Sequence, residues 1–178
     1  MALFTGKGDK GTTTAFGCNQ QRISKSSELP EALGALDELN AFLGFVKMRA
    51  ADSPRIARIL RDTQENLFII QAQTAGADKK LKEGSTEVVS EMVNDIEKEI
   101  PKVKGFSIAG GTELSALLDV ARTLARRAER RIIAVEEANL CDLSPETLAY
   151  MNRLSSLLFA LARLANHNAG IAEENPKY

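Results

Sequence analysis

The chain of 178 residues has one histidine, two cysteines and no tryptophan. His167 alone leaves Ser-His-Asp and Cys-His arrangements a single possible base, and it falls on the last turn of the final helical segment. One histidine also rules out the di-iron carboxylate site of a helical bundle, which needs Glu-x-x-His on two helices. Cys18 and Cys141 share no close spacing and sit in no Cys/His cluster of zinc type, so the expectation is reduced thiols in a cytoplasmic protein. No apolar run is long enough for a membrane span, and the opening residues lack the apolar stretch of a signal peptide. Charge of either sign is not in excess: 23 basic against 24 acidic residues leave a net charge of −1, which excludes a global nucleic-acid binder. Alternating strand patterns are missing too, with Phe106-Ser-Ile108 the one short extended candidate. An enzyme made from this chain needs chemistry that asks for little proton transfer.

What the chain does have is helical period. Leu33, Leu36, Leu39, Leu43 and Val46 predict a helix over Pro30 to Ala51. Ser53-Pro54 reads as an N-cap followed by proline at the first helical position, and Ile56, Leu60, Thr63, Leu67, Ile70 and Thr74 form the next stripe. A weaker amphipathic segment spans Ser85 to Ile100 and is stopped by Pro101. Gly110-Gly111-Thr112 opens a fourth helix with Leu114, Leu117, Leu118, Ala121, Ala125, Ala128, Ile132 and Val135 inside. Ser144-Pro145-Glu146 opens the fifth, with Leu148, Met151, Leu154, Leu158, Leu161 and Leu164 inside. The expected fold is all-α: one domain with an irregular arm over 1–29, a five-helix up-and-down bundle over 30–170 and a tail over 171–178.

Chemistry gathers in two places. On the fourth helix, Arg122, Arg126 and Arg130 advance about 40° at each step and form one row, with Arg127, Arg131 and Glu129 beside it. Like charges four apart each cost a few tenths of a kcal/mol in a bare helix, so the row calls for an anionic partner. The second place is the arm, where Thr5, Gly6, Lys7, Gly8, Asp9, Lys10, Gly11, Thr12, Thr13 and Thr14 run together. Gly6 and Gly11 have the spacing of a P-loop, but Thr12 stands where that motif needs lysine and no strand precedes it. The composition still suits phosphate: glycines let backbone N–H groups approach, and lysine and threonine side chains donate, joined by Arg22, Ser24 and Lys25. On the first helix Asp37 borders the apolar stripe, where a carboxylate is costly unless paired, and the arginine row is an evident partner. On the fifth, Asn152, Ser155, Ser156, Phe159 and Arg163 share a flank.

In order, these pieces are Thr5-x-x-Gly-Asp-Lys-Gly-Thr-Thr, Arg22-Ile-Ser-Lys, Leu36-Asp-Glu-Leu-Asn, Phe106-Ser-Ile-Ala-Gly-Gly-Thr-Glu-Leu, Val120-Ala-Arg-Thr-x-x-Arg-Arg-Ala-Glu-Arg-Arg and Met151-Asn-Arg-Leu-Ser. The series resembles the PduO-type ATP:cob(I)alamin adenosyltransferases from Thr5 to about Gly170. The resemblance implies a five-helix ferritin-like bundle forming a homotrimer with active sites at subunit interfaces. It implies ATP with Mg2+ carried on its phosphates, and no metal site of the protein's own. For the nucleotide it implies Thr5, Gly6, Lys7, Gly8, Asp9, Gly11, Thr12, Thr13 and Lys25 from the arm, Arg126, Glu129 and Arg130 from the fourth helix, and Asn152 from the fifth. Arg122 and Asp37 match a salt bridge across the interface, and Phe106 matches the aromatic residue that crowds the lower face of the corrin and displaces its axial ligand. Gly6 stands at the family's usual basic position with Lys7 one place later, Ser156 stands where Asp is frequent, and Asp119 replaces a common His.

The implied reaction moves the 5′-deoxyadenosyl group of ATP to the cobalt of cob(I)alamin or a related corrinoid. It suits a chain with one histidine, because the corrinoid carries the difficult step. Implied partners are a reductase supplying cob(II)alamin or cob(I)alamin and an adenosylcobalamin-dependent enzyme, with no membrane or nucleic acid. Charge alone also allows a non-catalytic helical module whose arginine row docks an acidic partner or forms its own oligomer interface, and the motifs allow a nucleotide-binding transferase acting on another alkyl acceptor.

Overall fold

The 3.6-residue stripes become helices almost where they begin and end. A computed structural model describes residues 3–18, 21–103 and 105–177, apart from the Cys18 side chain, so the reduced-thiol expectation for Cys18 lies outside the described residues. Among them are five α-helices: α1 Glu28–Arg49, α2 Pro54–Thr74, α3 Ser85–Glu99, α4 Glu113–Glu137 and α5 Pro145–Asn168. All six stripe residues of α2 are buried, as are Leu118, Ala121, Ala125, Ala128, Ile132 and Val135 of α4. None of the five is long and apolar enough to cross a membrane.

Helix ends follow local chemistry. Helix α1 begins two residues before the expected Pro30, because a proline in the first turn lacks only an N–H that has no intrahelical partner anyway. Helix α3 stops at Glu99 and Ile100 turns extended, as a residue before proline prefers. Ser144 and Thr112 cap α5 and α4 by accepting from the N–H groups of Thr147 and Ser115. Ser53 sits at the expected cap position but makes no side-chain cap bond. The N-cap of α3 is Gly84, and a carboxylate oxygen of Glu146 on α5 accepts from the Thr86 N–H at 2.7 Å instead.

The pairings set the directions. Arg131–Glu31 makes α4 antiparallel to α1 together with Arg127–Glu38, and Asn152–Glu129 with Asn166–Thr112 makes α5 antiparallel to α4. Asn66 meets Tyr150 while Gln73 meets Thr147, so α2 opposes α5. The chain therefore runs up and down throughout, with the core between the five helices. Burial pushes the Tyr150 hydroxyl above its ordinary pKa, and Asn66 donates to it. Thr112 both caps α4 and bonds to Asn166, so Thr112→Ala is expected to cost about 1–2 kcal/mol, read as a lower Tm in thermal unfolding.

The arm, expected to be irregular, is a hairpin. Strands β1 (Thr12–Thr13) and β2 (Ile23–Ser24) pair antiparallel. Two residues per strand are too short for alternation to register in a sequence. A 3-10 turn at Phe16–Cys18 seats the hairpin on the end of α2: the Gly17 N–H donates to the Ala75 carbonyl at 2.6 Å, and a Cβ on Gly76 would lie 2.6 Å from the Gly17 Cα.

Candidate active site

Helices α4 and α5 line up one face. Phe106, Arg122, Arg126, Ser155 and Phe159 surround an open cavity of about 510 Å³, with Val103 and Ser156 at its rim. Phe106 is 79% exposed and Phe159 partly buried, so apolar ring surface is presented to a ligand. Two cations approach the Phe159 ring, the guanidinium carbon of Arg122 at 6.0 Å and that of Arg163 at 5.9 Å from its centroid. Glu129 accepts from the Asn152 amide at 3.0 Å, so these two residues meet as a pair across α4 and α5.

The arginines divide in a way the row did not predict. Arg127 and Arg131, which lie off the row, hold α1 through Glu38 and Glu31. Arg122 is paired within its own helix: its Nε donates to Asp119 at 3.3 Å. Arg126 and Arg130 have no carboxylate partner among the described residues, and Arg130 bonds only the Arg126 backbone carbonyl, at 3.0 Å. They are the two cations of the row left for a ligand. One such guanidinium on the cavity wall, with the second a turn along the helix, fits a polyanion attached to a flat, largely apolar body.

The arm makes a second, separate half-site. Turns from Gly6 to Asp9 and from Gly8 to Gly11 compact the loop, and Lys25 N–H donates to the Gly11 carbonyl. A Cβ on Gly8 would stand 3.2 Å from the Lys25 Nζ, so the bare backbone there leaves space for the ammonium. Arg22 changes role. Expected as a further phosphate donor, it is spent on the loop, donating to the Lys7 and Thr12 carbonyls at 2.6 Å each and to the Thr12 hydroxyl at 2.8 Å. Thr5, Lys7, Asp9, Lys10 and Lys25 are exposed.

Asp37 belongs to the arm side. It is exposed in a shallow groove between α1 and α2 lined by Leu33, Phe68, Gln71 and Ala75, and Ala75 is the residue on which the arm docks. Within one chain Asp37 does not reach the arginine row, and no hydrogen bond or ion pair among the described residues joins the arm to α4. The chain thus presents two half-sites on different faces. Sequence reasoning grouped Phe159 and Arg163 on one flank without giving them a role, and missed as arginine partners Asp119, an i,i+3 neighbour of Arg122, and Glu31 and Glu38, which only tertiary packing selects.

No cluster of three or more His, Cys, Asp or Glu side chains among the described residues could hold a metal ion. Burial first, then Glu136 and Asp142, push the Cys141 thiol above its usual pKa, which disfavours the thiolate.

The family profile described as cobalamin adenosyltransferase matches residues 3–165. The chain is 34% identical to the corrinoid adenosyltransferase of Bacillus subtilis over 97% of its own length and 91% of that protein. It is 38% identical to the corrinoid adenosyltransferase PduO of Citrobacter freundii over 95% of its length, but spans only 51% of that protein. Its fold superposes on a variant PduO-type ATP:corrinoid adenosyltransferase from Lactobacillus reuteri complexed with cobalamin and ATP, with a TM-score of 0.88, 32% identity, and coverage of 97% of this chain and 95% of that one. A further variant from the same source, complexed with ATP, gives a TM-score of 0.88 at 31% identity, covering 98% of this chain and all of the other.

Proposed function

The chain belongs to the cobalamin adenosyltransferase family, and from that premise we infer that the α4–α5 cavity and the arm are the two halves of its catalytic site. It is an ATP:corrinoid adenosyltransferase. It transfers the 5′-deoxyadenosyl group of ATP to the cobalt of cob(I)alamin or a related corrinoid. The electron pair on cobalt(I) forms the Co–C5′ bond while the C5′–O bond breaks, so triphosphate leaves and adenosylcobalamin is formed.

The observation that carries the site reading is Arg126 on the wall of a largely apolar cavity with Arg130 one turn along the helix, both without a carboxylate partner among the described residues. Neither a general base nor a protein nucleophile is required, in keeping with a chain whose one histidine lies away from the cavity. The residues align two reactants and hold developing charge. Alignment can lower a barrier by roughly 7–11 kcal/mol in the best intramolecular cases, and each charged hydrogen bond to phosphate contributes about 1.5–3 kcal/mol.

The triphosphate takes its donors from Arg126, Arg130, Lys7, Lys25, Thr5, Thr12, Thr13 and the backbone N–H of Gly8, with Gly11 closing the turn that presents them. Glu129 and Asn152, already paired, meet the nucleoside end. Magnesium enters on the phosphates. The hard oxygens of the arm, Asp9 and the threonine hydroxyls, would face it there, and it would supply charge neutralisation of the leaving triphosphate. The corrin ring lies against Phe106 and Phe159, and Phe106 crowds the lower axial ligand away from cobalt, which eases reduction of cobalt(II).

Homotrimer formation completes the site. Its support is the separation of the half-sites, together with exposed Phe68 in the groove beside Asp37 and exposed Phe45 and Met48 further along α1, apolar surface of the kind that marks an interface. In that assembly Asp37 of one copy pairs with Arg122 of the next. A reductase that delivers cob(II)alamin or cob(I)alamin, an adenosylcobalamin-dependent enzyme that takes the product, and a cytoplasmic setting complete the proposal.

The test is direct. Protein, ATP, magnesium and chemically reduced cobalamin are mixed, and the corrin absorption is followed. An ATP-dependent change to the adenosylcobalamin spectrum is expected. A spectrum that stays unchanged with ATP present overturns the assignment.

A further inference from the structure

Arg163 is not needed by the transfer just described, yet its side chain is only 7% exposed. A buried guanidinium is strongly destabilising unless its donors find acceptors. Here they find two, on separate stretches of chain. Nε donates to a carboxylate oxygen of Glu173 in the C-terminal tail at 2.5 Å, and Nη2 donates to the Pro101 carbonyl at 2.6 Å. Pro101 opens the loop that carries Phe106.

The tail is tied to that loop a second time, where the Ile108 N–H donates to the Glu174 carbonyl at 2.8 Å. One turn beyond Arg163, Asn166 closes the far end of the loop by accepting from the Thr112 N–H at 2.9 Å and donating to the Gly110 carbonyl at 2.9 Å. A Cβ on Gly111 would meet that amide at 2.4 Å. Helix α5 therefore grips the loop at both ends, at Pro101 and at Gly110–Thr112, while the tail ties its middle at Ile108. Between Pro101 and Ile108 no hydrogen bond holds the loop among the described residues, and Phe106 sits in that untied span. Its position is set by the anchors on either side.

We propose that the tail from Ile171 to Asn175 is a strap on the loop that carries Phe106 to the corrinoid cavity, with the Arg163–Glu173 ion pair as its clasp. Arg163 and Glu173 are positioning residues: they act on the corrinoid through the Phe106 loop. The same guanidinium abuts Phe159, so the clasp braces both rings of the cavity at once. The proposal rests on the corrinoid reading of this cavity. The arm's share of the nucleotide site lies outside its reach, and among the described residues neither Arg126 nor Arg130 is bonded to Arg163 or Glu173.

Glu173→Gln in the full chain keeps an acceptor and removes the charge. The expected result is a fall of about tenfold in kcat/KM for the corrinoid, with the Kd for ATP within about twofold of the parent. The fraction of protein-bound cob(II)alamin that has lost its lower ligand, read from its absorption spectrum, falls with it. Glu173→Asp recovers part of the loss. Hydrogen exchange reads the clasp without any turnover: amides of 105–108 are expected to exchange at least about fivefold faster in Glu173→Gln, while those of the arm do not change.

Parent-like corrinoid kinetics and parent-like exchange in Glu173→Gln overturn the proposal. Equal losses for ATP and corrinoid overturn it as well, since they mean a general loss of structure. A parent protein that fails to adenosylate cobalamin overturns the assigned activity instead. That result is distinguishable because it precedes any substitution and leaves the exchange measurement intact as a test of the clasp.

Discussion

Phe106→Ala is expected to lower turnover on the order of a hundredfold, equivalent to roughly 3 kcal/mol of barrier, while the Kd for ATP barely moves. The ring is 79% exposed, so its removal leaves no void in the core and folding is unaffected. What disappears is the apolar wall that excludes the lower ligand from cobalt. The loss therefore falls on making cobalt(I) rather than on the displacement itself. Supplying the corrinoid already reduced is expected to shrink the defect, and steady-state assays with cob(II)alamin and with cob(I)alamin separate the two steps. Equal turnover by parent and variant in both assays refutes the role.

Arg126→Ala is expected to raise the Kd for ATP on the order of a hundredfold, about 3 kcal/mol, as measured by titration. Arg126 has no carboxylate to release among the described residues, and its side chain is exposed at the cavity, so Tm is expected to stay put. Arg127 is the matched control. Its guanidinium is held by Glu38 on α1, and Arg127→Ala is expected to cost stability of at most about 1 kcal/mol with ATP affinity preserved. An Arg126→Ala protein that retains parental ATP affinity removes this residue from the site.

The helices were legible because burial imposes a period. Ile56, Leu60, Thr63, Leu67, Ile70 and Thr74 are all inside, and α5 begins where Ser144-Pro145 says it should. The motifs placed the arginines and the arm on the right elements. What the sequence hides is choice among partners. Five arginines within ten residues of α4 look alike in a string of letters. Only the crossing of α1 over α4 decides that Glu31 and Glu38 take Arg131 and Arg127, leaving Arg126 and Arg130 without a carboxylate among the described residues. Asp119 captures Arg122 three residues away, and an i,i+3 pair of that kind was open to inspection. The clasp of Arg163 on Glu173 joins two segments that no periodicity relates.

The meeting of Gly17 and Gly76 has a consequence for anyone who would borrow the nucleotide loop. A two-rung hairpin has little stability of its own, and this one is seated by backbone lying directly on backbone, too close for even a methyl group between them. Grafting the loop onto another helical scaffold would mean transplanting the terminus of α2 with it, glycine for glycine.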